Sequence, residues 1–470
     1  MTVTCGHSDS GHNDWTFNNI MSKSIHKAIP HSLSLTPTIS HLLTSDISHR
    51  SHTPAGLTFE LTNPVRGGAS CRREVHLLDL RPESQVEEVV QQVMASERSA
   101  VGQRQRLERL VGRLVEALRG ATHGTYASAT TLRAHILPLT NVALNKEATL
   151  CATGSYDREC RLWRTADGGA EATLKGHTDV VFDVTFIGKH DELVATCSFD
   201  GTVRLWEAGT GSCELVVAGH EGPVVVVAPL PSSRHSLITG GMDTSARIWD
   251  LNMGECATTL SGHTGAVVGV GGDRSGHALY TASFDGTVRL WDARTHECSG
   301  TLARHDGEVN GAGVSWCGHY LASWGTDAAA NIWDLRHTHH SLHTLHHDAE
   351  VVSGAWDSCG RQLVTGGVDR TANVLHLPTL THTLQLDGHN GEVTKVAFNP
   401  AGTRIITAGE DGFLRVWDAQ DGRCVQEERG HDEEVFSMAV SYGGEVLVTG
   451  SRDNTCVIWR HAHHPDPPEK

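Results

Sequence analysis

Residues 262–292 read GHTGAVVGVGGDRSGHALYTASFDGTVRLWD. His263 stands near the start, Thr281 comes four residues before Asp285, and Trp291 follows that aspartate by six. Outward from this stretch, in both directions, the same spacing returns every 42 to 43 residues. The histidines are His135, His177, His220, His263, His305, His347, His389 and His431. Each is followed after 22 or 23 residues by an aspartate: Asp157, Asp200, Asp243, Asp285, Asp327, Asp369, Asp411 and Asp453. The third position reads Trp163, Trp206, Trp249, Trp291, Trp333, Leu375, Trp417 and Trp459. A period held for eight cycles decides the fold before any single residue is considered.

Within a unit the residues alternate as short strands do. Unit two predicts strands over Val181–Ile187, Leu193–Ser198, Thr202–Glu207 and Cys213–Val217, separated by turns such as Phe199-Asp200-Gly201. The period, with Gly388-His389 opening a unit and Trp417-Asp418 closing it, resembles the WD40 repeat. Four strands per unit, repeated radially, make an all-β fold: an eight-bladed β-propeller over 128–460. The last unit ends at Trp459, in its third strand. The run Ser128-Ala129-Thr130-Thr131-Leu132-Arg133, ahead of His135, resembles the fourth-strand segment before every other repeat histidine. It is expected to complete the last blade and leave no open edge.

Four residues before each aspartate sits a hydroxyl: Thr153, Thr196, Thr239, Thr281, Ser323, Thr365, Thr407 and Thr449. A buried aspartate needs donors, and the histidine, the hydroxyl and the Trp N–H are expected to supply them. The fullest tetrads are His177, Thr196, Asp200, Trp206; His263, Thr281, Asp285, Trp291; and His389, Thr407, Asp411, Trp417. These residue types would also suit a catalytic triad. Eightfold repetition argues against one, because a protein needs one active site and not eight. Units five and six lose the glycine before the histidine, to Arg304 and His346, and unit six also loses its tryptophan to Leu375. Blade six is therefore expected to be the least rigid.

Net charge is −17, unevenly spread. Residues 1–124 hold 13 Lys/Arg against 12 Asp/Glu, whereas 125–470 hold 25 against 43, a balance of −18. An acidic propeller repels nucleic acid and anionic membrane, so neither is expected as a partner. No apolar run approaches the ~20 residues of a membrane span, and no signal sequence is visible. Cys213, Cys256, Cys298 and Cys424 fall seven residues before a repeat histidine, on different blades and too far apart to bridge; they read as small buried hydrophobes in a reducing compartment. No C-x-x-C pair, P-loop, G-x-G-x-x-G, H-E-x-x-H or G-x-S-x-G occurs. No cofactor, metal or enzymatic activity is expected. The histidines at 337–347 read as exposed loop.

Residues 1–72 are rich in Ser, Thr, His and Pro and read as a disordered extension. A reading frame opened too far upstream would leave the same kind of segment. A helical hairpin is expected over 75–120. Ser84-Gln85-Val86-Glu87 has the form of a capping box. Val86, Val89, Val90, Val93 and Met94 form one apolar face, and Leu107, Leu110, Val111, Leu114, Val115 and Leu118 a second. The second helix is basic, through Arg104, Arg106, Arg109 and Arg113. Those arginines serve as a solvated face or as a positive wall beside the acidic ring. The tail 461–470 is expected to be flexible.

Two variable positions flank the tetrads at one end of the propeller. Three residues after the histidine come Pro138, Val180, Pro223 and Ala266, then Glu308, Glu350, Glu392 and Glu434. Just before the aspartate come Tyr156, Phe199, Met242 and Phe284, then Thr326, Val368, Glu410 and Arg452. One half of this face is apolar and aromatic, the other acidic. Such a surface is expected to bind protein.

The run from Ala134 to Lys146, AHILPLTNVALNK, followed by Thr153-Gly154-Ser155-Tyr156-Asp157-Arg158, closely resembles the dynein assembly factors with WD repeats, also called outer row dynein assembly proteins. Leu77-Leu78-Asp79-Leu80 and Val448–Arg460 are similar to that family too, so the likeness covers about 75–460. Departures concentrate in units five and six. The resemblance implies a monomeric, non-enzymatic cargo adaptor of cytoplasm, basal body and cilium or flagellum. It would link preassembled outer-arm axonemal dynein to intraflagellar transport complex B. The alternative, a substrate-recognition subunit of a ubiquitin ligase, would need a ligase-docking module, which 75–120 does not resemble.

Overall fold

The computed structural model describes residues 3–6, 56–62, 70–76, 85–96, 104, 107–112, 115 and 125–462, the last span without 189, 231–232, 234, 274 and 337–340. Two compact units separate. The first comprises 1–48, 55–80 and 84–114; the second comprises 49–54, 81–83 and 115–470.

The second unit is an eight-bladed propeller of four-stranded antiparallel sheets. In blade two the strands are Val181–Ile187, Leu193–Ser198, Thr202–Glu207 and Cys213–Ala218, one residue beyond the expected end. The first strand of each blade packs beside the first strand of the next, and Val435–Val440 of blade eight packs beside Leu139–Leu144 of blade one, so the ring closes around its axis. Burial grades outward from there. The second strand, for example Leu193–Ser198, is buried along nearly its whole length because sheets cover both its faces. The fourth strand, Cys213–Ala218, is largely exposed and anchored by Val217. Each core cluster spans two blades: Ala195, Val203, Leu205 and Val217 of blade two meet Val224, Val227, Leu237 and Trp249 of blade three. No blade buries its own faces alone.

The fourth strand of blade eight is Thr125–Leu132, as expected, paired with Cys456–Ala462. Its register is Leu132 to Cys456, Thr131 to Val457 and Thr130 to Ile458, then a bulge before Trp459. Every other blade bulges at the same place, as at Leu205/Trp206 and Leu290/Trp291. The N-terminal strand thus substitutes for a true fourth strand. Tyr126 is its anchor: buried among Val416, Leu447 and Trp459, it donates from its hydroxyl to Gly444 O at 2.9 Å. Its backbone N–H donates to Gln426 Oε1 at 2.7 Å, and the Gln426 amide returns a bond to the Tyr126 carbonyl.

Two expectations need correction. The first 72 residues are not without order: Val3–Gly6, Gly56–Thr62 and Ser70–His76 form a three-stranded sheet with Ser70–His76 in the middle. Leu57, Phe59 and Leu61 alternate with Thr58, Glu60 and Thr62, which is a strand pattern inside a polar segment. The helix Val86–Ser96 follows, with Val89 N donating to Gln85 O at 3.2 Å; Val90 and Val93 are buried, as are Leu107 and Val111 in helical residues 107–112. Ser84 of the expected cap, and the tail from 463, lie outside the described residues.

The four repeat cysteines are not buried. Cys213, Cys298 and Cys424 are exposed and Cys256 is partly so. They begin the outermost strand, opposite the tetrad tryptophan, where solvent reaches. Each thiol points back to its own strand, from Cys424 Sγ to Gln426 O at 3.2 Å to Cys213 Sγ to Leu215 O at 3.8 Å.

Blades five and six hold extra aromatic mass. Trp324 stands where other blades carry Gly, Ala or Cys, and Gly311 and Gly354 make room for it. Trp356 donates from Nε1 to Gly313 O at 2.9 Å and joins Trp324 in a core shared by both blades with fully buried Leu375. Replacing a tryptophan by an apolar residue there leaves no orphaned donor, so the lost N–H is not by itself a defect.

Removal of residues 125–134 should lower the melting midpoint by more than ~10 °C. It strips Tyr126 and Leu132 from the core, each contributing about 2 kcal/mol, along with a whole strand ladder. A deletion variant that melts with the full chain would rule out this closure.

Candidate protein-binding face

The tetrads position the face, and their geometry is a relay. In blade two Trp206 Nε1 donates to Thr196 Oγ1 at 2.9 Å, Thr196 contacts His177 Nε2 at 2.8 Å, and His177 Nδ1 contacts Asp200 Oδ2 at 2.9 Å. Blade four repeats it at 3.0, 2.7 and 2.8 Å through Trp291, Thr281, His263 and Asp285. Blade seven gives 2.8, 2.8 and 3.1 Å through Trp417, Thr407, His389 and Asp411. The hydroxyl accepts from the indole, and the imidazole bridges that hydroxyl to the carboxylate.

Only one of the three expected donors reaches the aspartate. The hydroxyl and the indole lie on the far side of the imidazole. Backbone takes their place: Thr178 N and Thr202 N donate to Asp200 at 3.0 and 2.9 Å, and the Thr202 hydroxyl adds a bond at 2.6 Å. Burial alone would raise the Asp285 carboxyl, but bonds from Thr287, Thr264 and His263 outweigh it and hold it down at about 2. Asp157, Asp200, Asp243, Asp411 and Asp453 are lowered in the same way. Burial lowers His220 and His263 against the pull of their aspartates.

The two variable positions meet in every blade. The residue before the aspartate donates its N–H to the carbonyl three past the histidine: Tyr156 to Pro138 at 3.1 Å, Phe199 to Val180 at 3.0 Å, Met242 to Pro223 at 2.8 Å and Phe284 to Ala266 at 3.0 Å. Thr326, Val368, Glu410 and Arg452 do the same to Glu308, Glu350, Glu392 and Glu434. One rim therefore carries both halves. Tyr156, Met242 and Phe284 are 43%, 45% and 38% exposed. Phe199 is half-buried, stacked on exposed Phe182 with ring centroids 5.2 Å apart. In the acidic half Glu308 is exposed and Glu350 accepts from Asn310 Nδ2 at 2.8 Å. Burial, then repulsion from Glu410 and Glu350, raises Glu392; burial and Glu410 raise Glu434. These carboxylates feel one another.

Of the basic helix, Arg104 is tied to Glu87 at 2.7 Å and Glu108 at 2.8 Å, and Arg109 is exposed. Arg106 and Arg113 lie outside the described residues. The rim also contains residues that the two-position comparison missed: Phe182, and Ile136 and Leu137 in the loop after His135. Exposed apolar residues in a tetrad loop were the available signal. At the axis, Asp183 on the first strand of blade two takes bonds from Val184 N at 2.8 Å, Val227 N at 3.0 Å and the Asn141 amide, and feels Lys395 on that of blade seven. Desolvation raises Asp183 and lowers Lys395.

Seven segments, 127–164, 168–207, 211–250, 254–292, 339–374, 379–418 and 422–460, match the family model described as WD domain, G-beta repeat. Blade five lies between the fourth and fifth of them, yet keeps His305, Ser323 and Trp333 in the relay at 2.8 and 3.1 Å. Over 134 residues the chain is 40% identical to a mouse protein (Mus musculus) named "Dynein assembly factor with WD repeat domains 1", a stretch of 28% of this chain and 32% of that protein. The human protein of that name is 39% identical over the same shares, and the zebrafish one (Danio rerio) 40% over 26% of this chain and 29% of its own. The match spans about a third of these relatives' length. Among solved structures the computationally designed Ika8 protein shares the fold, with a TM-score of 0.64 and 24% identity over 71% of this chain and 99% of its own.

Both shifts in the tetrads have one sign. A folded value below the unfolded one means stability is complete above the unfolded pKa and is lost as pH falls toward the folded value. The melting midpoint should hold above pH ~7, decline below ~6.5 as unfolded imidazoles take up protons, and drop more steeply below ~4 as unfolded carboxylates do. Calorimetry between pH 8 and 3 measures this, and a midpoint unchanged from pH 7 to 5 would contradict the lowering of His220 and His263.

Proposed function

The chain belongs to the WD-domain, G-beta-repeat family, and on that premise we propose that it is a non-enzymatic adaptor that links preassembled outer-arm axonemal dynein to intraflagellar transport complex B. The observation that carries the binding role is the rim itself, where exposed aromatics of blades one to four adjoin crowded carboxylates of blades five to eight. The relatives named dynein assembly factors supply the direction of the cargo assignment. The eight histidine–aspartate pairs are each held within a structural relay, which supports a binding role over a catalytic one. Such an adaptor works between cytoplasm, basal body and cilium or flagellum.

The two halves of the rim suit different contacts. Tyr156, Phe199 and Phe284 provide large rigid area for the apolar core of an interface. The glutamates steer a basic segment and set its register more than they hold it. An acidic propeller is a poor match for nucleic acid.

Affinity purification of the tagged chain from ciliated cells should recover axonemal dynein and transport-train subunits together. A cullin scaffold in their place would assign the propeller to ubiquitin ligation and overturn the adaptor reading. A triple variant, Tyr156→Ser, Phe199→Ser and Phe284→Ser, should lose the cargo by at least about tenfold while keeping the fold. Its main structural loss is the Phe182–Phe199 stack, about 1 kcal/mol. Full binding by this variant would sink the aromatic half as the contact.

A further inference from the structure

The third-strand position opposite the tetrad hydroxyl carries an arginine in blades one to four and seven. Arg204 pairs in register with Thr196, Arg247 with Thr239, Arg289 with Thr281 and Arg415 with Thr407. In three of these blades the guanidinium lies against the glycine that precedes the tetrad histidine. A Cβ on Gly176 would come within 2.7 Å of Arg204 Nη1, one on Gly219 within 3.2 Å of Arg247 Nη1, and one on Gly262 within 2.7 Å of Arg289 Nη1. In these three blades the glycine of the Gly-His pair thus gives clearance to an arginine. In blade seven Arg415 donates from Nη1 to Asp411 Oδ2 at 2.8 Å and from Nη2 to Glu427 Oε1 at 3.1 Å.

Blades five and six change both positions together. Asn331 and Asn373 replace the arginine, and Arg304 and His346 replace the glycine. Blade five recovers its cation from the other strand: Arg304 Nε donates to Thr344 Oγ1 at 3.1 Å, and Thr344 donates to Asn331 Oδ1 at 2.7 Å. Blade six has no arginine at either position, and Leu375 in place of tryptophan. There a cavity of about 290 Å³ opens. Asp348, Asp369, Asn373 and Gln385 line it, together with His343 and Thr344 from the fourth strand of blade five. Gln385 pairs in register with Asn373 as Glu427 does with Arg415, and Asp369 is the counterpart of Asp411.

We propose that this cavity receives an arginine side chain from a partner polypeptide, whose guanidinium takes the place that Arg415 holds in blade seven. Its walls carry the carboxylates of Asp348 and Asp369, the amides of Asn373 and Gln385 and the rings of His343, His346 and His347, and include no lysine or arginine. A planar fork of five donors uses such a set better than an ammonium does. The volume lies just under the range of small-molecule pockets, which suits a single side chain. Among the described residues no group of three histidine, cysteine or carboxylate side chains is placed to hold a metal ion. The site is separate from the aromatic rim, and the inference holds whichever protein the propeller carries.

The test is a random peptide-display library panned on the full chain and compared on Asn373→Arg, which supplies the missing guanidinium in cis. Peptides sharing one arginine should emerge, and each should bind Asn373→Arg at least about tenfold more weakly. Replacing that arginine by uncharged, isosteric citrulline should cost a similar factor. Asn373→Arg should keep a cooperative melt, because in blade seven Arg415 stays 3.7 Å from a Cβ built on Gly388, the position that His346 holds in blade six. If that variant does not fold, Asp348→Asn, at an exposed position, should weaken the same peptides about threefold or more. Absence of an arginine-sharing class, or binding unaffected by either variant, would overturn the proposal; the second result would place those peptides on the acidic rim.

Discussion

The structure depends on a carboxylate buried in the turn between the second and third strands of each blade. Leaving that charge unpaired would cost several kcal/mol per blade. It is satisfied by an imidazole from the preceding loop and by backbone N–H groups of its own turn, as Asp200 shows with His177, Thr178 and Thr202. The imidazole is in turn oriented from behind by a hydroxyl that takes the indole N–H of the third strand. Each member is hydrogen-bonded to the next, so the loop, two strands and the turn are ordered as one unit. Polarised chains of this kind are cooperative, and the loss of any one member weakens the rest.

That coupling explains what was legible in the sequence and what was not. The relay requires fixed residue types at fixed separations, so histidine, hydroxyl, aspartate and tryptophan stood out at once, as did the strands between them. The strand that closes blade eight was legible for the same reason, because it precedes His135 as other fourth strands precede theirs. Residue types did not reveal direction. Nothing in the spacing showed that the hydroxyl of Thr196 faces the imidazole and not Asp200, since both would satisfy a polar group. The cysteines misled because an apolar residue opposite a buried tryptophan reads as core, whereas Cys213 starts the outermost strand. Within the polar first seventy residues, the short alternation Leu57, Phe59, Leu61 was outweighed by composition.

The rim was legible only by comparing units. A repeat that holds four positions nearly constant over eight units leaves their neighbours free, and those neighbours differ by blade. Tyr156 and Glu410 occupy equivalent places, each joined to the preceding loop by the same backbone bond. The scaffold is thus indifferent to which side chain is presented there. Phe182, Ile136 and Leu137 escaped because they occupy other positions, where the aligned columns carried no warning.

Departures from the repeat are informative when they occur in pairs. In blades two to four the glycine before the histidine and the arginine on the third strand pack together, the guanidinium lying where a Cβ would come. Blades five and six lack both residues, whereas blade one sets Arg161 beside Ala134 and blade eight Gly430 beside Val457. In the acidic half the departures are charges: Glu392 and Glu434 are raised because burial and neighbouring carboxylates oppose their ionisation. Like charges held close destabilise the chain that carries them. A cationic partner removes that repulsion as it binds, so the energy stored in the rim favours association, and its range is set by salt screening over about 8 Å. Blades one to four present apolar area there, through Tyr156, Met242 and Phe284. One ring therefore offers an electrostatic contact that weakens with salt and a hydrophobic one that does not.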